Sequence, residues 1–155
     1  MLERVQRDAE VRVPNQVPIA EGLFTWPSES PQLIASRCTV CESLTFPSQD
    51  ACPRCTERGA EQVLLSRAGK LWSWTIQRFP PPPPYTGPAT RETFVPYGVG
   101  YVELPEGIRV EARLTENEPG KLRIGMDMEL AVEPFGQNAD GDAVVTFAFR
   151  PALSE

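Results

Sequence analysis

The four cysteines of the chain fall in two pairs, Cys38-Thr-Val-Cys41 and Cys52-Pro-Arg-Cys55, giving the spacing C-x2-C-x10-C-x2-C. Each C-x-x-C turns the backbone so that two thiolates converge. Two such knuckles on a short hairpin supply four tetrahedral sulfur ligands at about 2.3 Å from a metal ion. This is a zinc-ribbon pattern. Two disulfides are the alternative, although C-x-x-C pairs in an intracellular chain bind metal more often than they cross-link. Iron also suits four thiolates, and spacing alone does not separate it from zinc. A closed four-sulfur site has no open position for water or substrate. The metal held by Cys38, Cys41, Cys52 and Cys55 is therefore expected to be a structural Zn2+.

Histidine is absent from the sequence. That removes Ser-His-Asp and Cys-His nucleophiles, an imidazole base near neutral pH, and a His-ligated catalytic metal. A carboxylate enzyme built on Glu103 and Glu111 is a further possibility, but nothing in the sequence gives either residue a reason for a raised pKa. No catalytic residue is expected in this chain. The formal charge of −6 moves toward about −8 when four thiolates and one Zn2+ are counted. Between residues 103 and 150 there are ten acids against five bases. A nucleic-acid-binding ribbon and barrel is thus the weaker alternative, because that face repels a phosphate backbone. Near the ribbon, Arg37, Arg54, Arg58, Arg67 and Lys70 form either a solvated surface or a cluster able to meet an anionic ligand such as a nucleotide phosphate.

The elements that position these residues read as mainly β. Residues 1–13 place Leu2, Val5, Ala9 and Val13 at helical spacing, and a proline-rich extended arm runs on to residue 31. Leu23, Phe24 and Trp26 are its expected anchors, on this domain or on a partner. The ribbon spans 32–66, with strands at 33–36, 44–47 and 63–66. Beyond it, in 67–155, alternation of period two marks five strands at 70–78, 97–104, 108–114, 128–135 and 143–150. Trp72, Trp74 and Ile76 share a face in this count, and Trp72, Trp74 and Tyr97 are expected to fill the core. Residues 115–125 have room for one helical turn. Gly98 and Gly100 fit tight approaches in a closing sheet, so the expected architecture is a five-stranded OB-type barrel. Between its first two strands lies the proline-rich loop 79–96, whose five consecutive prolines are expected to form a polyproline II strut against this domain or a permanent partner. Its aromatics Phe79, Tyr85 and Phe94, with Trp26 and Tyr97, are candidate partner or substrate contacts.

The N-terminus lacks the apolar core and cleavage site of a secretory signal, and no apolar run approaches the roughly 20 residues of a membrane-spanning helix. A soluble cytoplasmic protein that binds neither membrane nor nucleic acid is expected.

The order of motifs resembles a known family. Phe46-Pro47 follows the first knuckle, Cys52-Pro53 opens the second, and Pro96-Tyr-Gly-Val-Gly-Tyr-Val-Glu-Leu-Pro-Glu-Gly107 and Leu122-Arg-Ile-Gly-Met126 lie in the barrel. Over about residues 20–151 this is similar to the zinc-ribbon/OB-fold accessory proteins of thiolase-like acyl-CoA enzymes. The resemblance implies a non-catalytic subunit, two copies of which pair with two of a thiolase-fold partner to complete an acyl-CoA site for carbon–carbon cleavage. Small subunits serving (aryl)succinyl-CoA thiolysis in aromatic degradation are the nearest match, and partner domains of steroid side-chain-CoA retro-aldolases the next. It also implies the zinc ligands Cys38, Cys41, Cys52 and Cys55, and a CoA thioester as substrate of the complex. Arg37, Arg54, Arg58, Arg78 and Arg91 are then the cations available to its phosphates.

Overall fold

The computed structural model describes residues 15–85, 90 and 92–153. The expected helix over 1–13 and the cation Arg91 lie outside those residues. Nine strands are described: β1 (Gln16–Pro18), β2 (Ile34–Arg37), β3 (Leu44–Thr45), β4 (Glu61–Leu64), β5 (Ala68–Gln77), β6 (Tyr97–Glu103), β7 (Arg109–Leu114), β8 (Asp127–Gln137) and β9 (Ala143–Pro151). The helical turn expected within 115–125 is a single 3-10 turn, Pro119–Lys121.

Strands β5 to β9 close on themselves in the order β9-β7-β6-β5-β8 and back to β9. Every pairing is antiparallel except β7 with β9, where Arg113 faces Ala148 and Leu114 faces Phe149. This is the OB topology, and closure removes the free sheet edges that would otherwise invite aggregation. Leu71, Val102, Val110, Leu114, Met128, Leu130, Val145 and Phe149 fill the interior at 2% exposure or less. Gly100 is buried in β6 because a Cβ there would stand 2.7 Å from the Ser73 carbonyl oxygen and 3.0 Å from Leu71 Cδ1.

Two β-bulges interrupt the alternation, one between Leu71 and Ser73 on β5 and one between Pro134 and Gly136 on β8. The extra residue is aromatic in both, Trp72 and Phe135. A bulge adds one residue to one strand and turns the following side chains over. Leu71 therefore takes the interior position, and Trp72 is 46% exposed instead of sharing a buried face with Trp74 and Ile76. Its ring lies under the Arg109 guanidinium at 4.0 Å and edge-on to Tyr101. Trp74 packs against the core as expected, whereas Tyr97 stays half-buried outside it.

The ribbon is a three-stranded sheet, β3-β2-β4, and its apolar face joins the barrel's core without a break through Phe24, Leu33, Ala35 and Leu65. Phe147, which shares a strand face with Val145 and Phe149, meets Phe46 at 5.5 Å and Phe24 at 6.4 Å, both edge-on. The described part of the arm lies on its own chain: β1 runs parallel to Ala143–Val145, and Phe24 bridges Leu33. No helix among the described residues is long and apolar enough to cross a membrane.

Candidate functional site

Two near-identical knuckles build the cysteine site. In the first, Glu42 N donates to Cys38 O and Cys38 N to Ser43 O; in the second, Thr56 N donates to Cys52 O and Cys52 N to Glu57 O. The residue after each second cysteine is left-handed, Glu42 at φ 58° and Thr56 at φ 66°. That turn aims the knuckle amides at the first sulfur: Val40 and Cys41 N–H groups point at Cys38 Sγ at 3.4 and 3.5 Å, and Arg54 N–H at Cys52 Sγ at 3.4 Å.

All four sulfurs lie within 4.8 Å of one another. Cys38 and Cys55 are 3.4 Å apart, and Cys41 and Cys52 3.6 Å. A tetrahedron with zinc–sulfur bonds of 2.3 Å has edges of about 3.8 Å, so the set fits a four-thiolate metal. The thiols are free and not cross-linked. Their electrostatics also call for a cation. The Ser43 hydroxyl pulls Cys41 below the ordinary thiol range and draws Cys52 down to about 6. The Glu57 amide favours a Cys55 thiolate, but neighbouring Cys38 and burial outweigh it and push that thiol up to about 12. Four thiolates share this space only when a positive ion holds them. Ser43, at 3.0 Å from Cys41 Sγ and 3.2 Å from Cys52 Sγ, was not singled out from the sequence. Its position two residues beyond Cys41 is the one signal that could have found it.

The candidate cations do not converge on one site. Arg58 pairs with Asp50 at 3.4 Å, Arg54 sits exposed on the second knuckle, and Arg78 lies just past the far end of β5. Arg67 and Lys70 are taken up by Glu129 and Asp127, and Arg67 also reaches the Leu130 carbonyl and the Ser30 hydroxyl. Arg37 is different. It lines a cleft of about 570 Å3 between ribbon and barrel, together with Ser43, Leu44, Ile108, the carboxylates of Glu42 and Glu106, and a cation the sequence did not flag, Arg109.

The candidate aromatics separate as well. Trp26 is half-buried against Phe24 and donates its indole N–H to Gln16 O at 3.2 Å, so it serves its own chain. Phe79 is 68% exposed. Tyr85, Phe94 and Tyr97 come together, because the proline run ends in a turn with Tyr85 N donating to Pro82 O, and the loop folds back on the barrel.

A four-cysteine ribbon seated on a closed OB barrel defines a zinc-ribbon/OB-fold protein. Residues 62–133 match the family described as the ChsH2 C-terminal OB-fold domain. The chain is 37% identical over 121 residues to benzoylsuccinyl-CoA thiolase subunit BbsA of Thauera aromatica, covering 78% of this chain and 77% of that protein. It is 33% identical over 126 residues to a DUF35 domain-containing scaffold protein of Pyrococcus furiosus, covering 81% and 87%. Among solved structures, the Ltp2-ChsH2(DUF35) aldolase superposes with a TM-score of 0.58 at 29% identity, over 79% of this chain and 86% of that one. The chain belongs to the DUF35 family.

Proposed function

We propose that the chain is a non-catalytic accessory subunit that binds a thiolase-fold partner and helps form an acyl-CoA site for carbon–carbon cleavage. One observation carries this reading: a chain 37% identical to a named thiolase subunit has every cysteine in a closed four-sulfur cluster and no histidine at all. Thiolysis of a β-ketoacyl-CoA needs a nucleophilic cysteine and a proton-moving His or second Cys. Those groups have to come from another polypeptide. The metal, taken as Zn2+, then holds the ribbon's shape and leaves the chemistry to the partner. (Aryl)succinyl-CoA thiolysis in aromatic degradation is the preferred reaction, by the likeness to BbsA. Arg37, exposed in the cleft it shares with Arg109, Glu42 and Glu106, is the cation on this chain best placed to meet a CoA phosphate, because Arg109 is already paired with Glu103. We place the complex in the cytoplasm, where four thiols stay reduced for metal binding, with two copies of each chain.

The likeness to the Ltp2-ChsH2(DUF35) aldolase favours a second reading, partnership in a retro-aldol cleavage of a steroid side-chain-CoA. Native purification of the tagged chain from its own lysate, with co-purifying proteins identified by mass spectrometry and the intact assembly weighed, tests both. A stoichiometric thiolase-fold partner is expected, and its own active-site residues separate thiolase from aldolase. A chain that emerges alone, or with nucleic acid, overturns the accessory role.

A further inference from the structure

Beneath the proline-rich loop, on the barrel's outer wall, lies a second cavity of about 300 Å3. Tyr85, Phe94 and Tyr97 give it aromatic walls, and Arg113, Asn117 and Glu133 its main polar groups. The volume is at the lower end of the range for small-molecule sites.

The surroundings hold one guanidinium in a fixed attitude. The bulge on β8 makes Phe135 the extra residue, where it meets Tyr85 edge-on at 6.0 Å. Phe94 meets Tyr97 edge-on at 5.9 Å. The Arg113 guanidinium carbon sits 3.9 Å from the centre of the Tyr97 ring and 5.6 Å from that of Phe135. Arg113 Nε donates to Glu133 Oε1 at 2.9 Å, and both side chains are largely buried, at 28% and 23% exposure. Among the described residues, neither Nη atom of Arg113 has a hydrogen-bond acceptor. One edge of the guanidinium is thus tied down and one face is covered. The remaining donors of its planar fork have no partner among the described residues.

A fork of two N–H donors is the geometric complement of a carboxylate, which it binds bidentately. Aromatic walls select a flat apolar body behind that carboxylate. A phosphate dianion fits less well, because Arg113 is the only cation among the described lining residues and its partner Glu133 repels a second negative charge. An amine is repelled by Arg113 itself. We propose that this pocket binds an aryl carboxylate, with the carboxylate on the Nη edge of Arg113 and the ring against Phe94 and Tyr97. The site goes beyond the accessory role and does not depend on it, since every lining residue the argument uses belongs to this chain.

Ligand-observed NMR on the metal-loaded full chain tests the assignment, with benzoate and phenylsuccinate as probes and benzamide as the uncharged isostere. Saturable binding of both acids is expected, with NOEs from the ligand ring to Phe94 and Tyr97, and at least about tenfold weaker binding of benzamide. Arg113→Gln should weaken the acids by a similar factor. Arg113→Lys keeps the charge and loses the fork, so it should weaken the acids while sparing the fold. The wild-type comparison of acid with amide needs no variant and decides the matter if either substitution unfolds the chain. Equal binding of acid and amide, no saturation in the millimolar range, or NOEs to residues elsewhere overturns the proposal. Arg113 would then only anchor the loop.

Discussion

Glu106, in the turn between β6 and β7, accepts two hydrogen bonds from Ser66, one from its amide at 2.6 Å and one from its hydroxyl at 2.7 Å. Ser66 is where the ribbon hands the chain to the barrel, so one carboxylate oxygen clamps the two parts together. The other oxygen, Oε2, is buried without a partner among the described residues. Burial pushes the Glu106 carboxyl upward, but the Ser66 hydroxyl and amide outweigh it and hold the group below its usual 4.5.

Replacing Glu106 with Ala leaves the Ser66 amide and hydroxyl without that acceptor, and should destabilise the protein by about 1–3 kcal/mol at neutral pH. The sign of the pH dependence follows from the lowered folded-state value. The clamp's contribution is fully present above the unfolded pKa and is lost as pH falls through the folded one. Urea unfolding of wild type and variant at neutral and acid pH should therefore show a gap that closes on the acid side of 4.5. A gap that stays constant over that span would mean that the carboxylate's charge contributes nothing to the clamp.

Cys38 and Cys52 are each 3% exposed and sit beside the core that joins ribbon to barrel. With the metal proposed above as zinc, Cys38→Ser should lower it from one equivalent to almost none and reduce the Tm by more than about 10 °C, as for other folds built on a structural metal. Elemental analysis with a thermal melt checks both. Iron in the native protein would overturn the proposed zinc, and a full metal equivalent in the variant would overturn the four-cysteine site.

The knuckle turn has a measurable cost. Thr56 is β-branched yet holds φ 66°, a conformation that crowds its Cβ. Thr56→Gly should relieve this and stabilise the metal-loaded protein by about 0.5–1 kcal/mol, after allowing for glycine's larger unfolded-state entropy. Glu42→Gly, at φ 58° but without the branch, should gain less. Denaturant melts that rank the two in reverse would locate the strain elsewhere.

Gly100→Ala puts a methyl 2.7 Å from the Ser73 carbonyl oxygen, on backbone that paired strands hold in place. Leu71 and Leu114 can shift their side-chain ends, but the nearest atom is backbone and cannot. A loss of about 1–3 kcal/mol is expected, as in other overpacked cores. Unchanged stability would mean that β5 and β6 separate more easily than their pairing implies.

The parts legible in the sequence were those set by short-range rules. Knuckle spacing placed Cys38 to Cys55 in a ribbon, and alternation placed five strands within a few residues of β5 to β9. Counting by twos assumes that no residue is extra. The bulges at Trp72 and Phe135 break that assumption, which is why Trp72 was expected inside and stands outside. Arg109 and Arg113 alternate with core residues and read as solvated charge. Only the fold brings Arg109 across to the ribbon's Arg37, and only the returning loop places aromatics over Arg113. Contacts between elements far apart in sequence leave no periodic trace, so these surfaces were not legible.

Arg37 carries the last prediction, which rests on the proposed acyl-CoA role. Arg109 is committed to Glu103 at 2.9 Å and to the Trp72 ring, and Arg58 to Asp50, whereas Arg37 has no acidic partner within salt-bridge distance among the described residues. A cation unpaired in a cleft has its charge available for a phosphate. In the assembled complex Arg37→Glu should raise KM for the CoA substrate by about tenfold with kcat nearly unchanged, because it removes binding shared by ground and transition states. Added salt should narrow the difference. Arg78→Glu, beyond the far end of β5, should leave KM as it was. If Arg78→Glu instead gives the larger effect, the CoA phosphates approach by the proline-rich loop and not between ribbon and barrel.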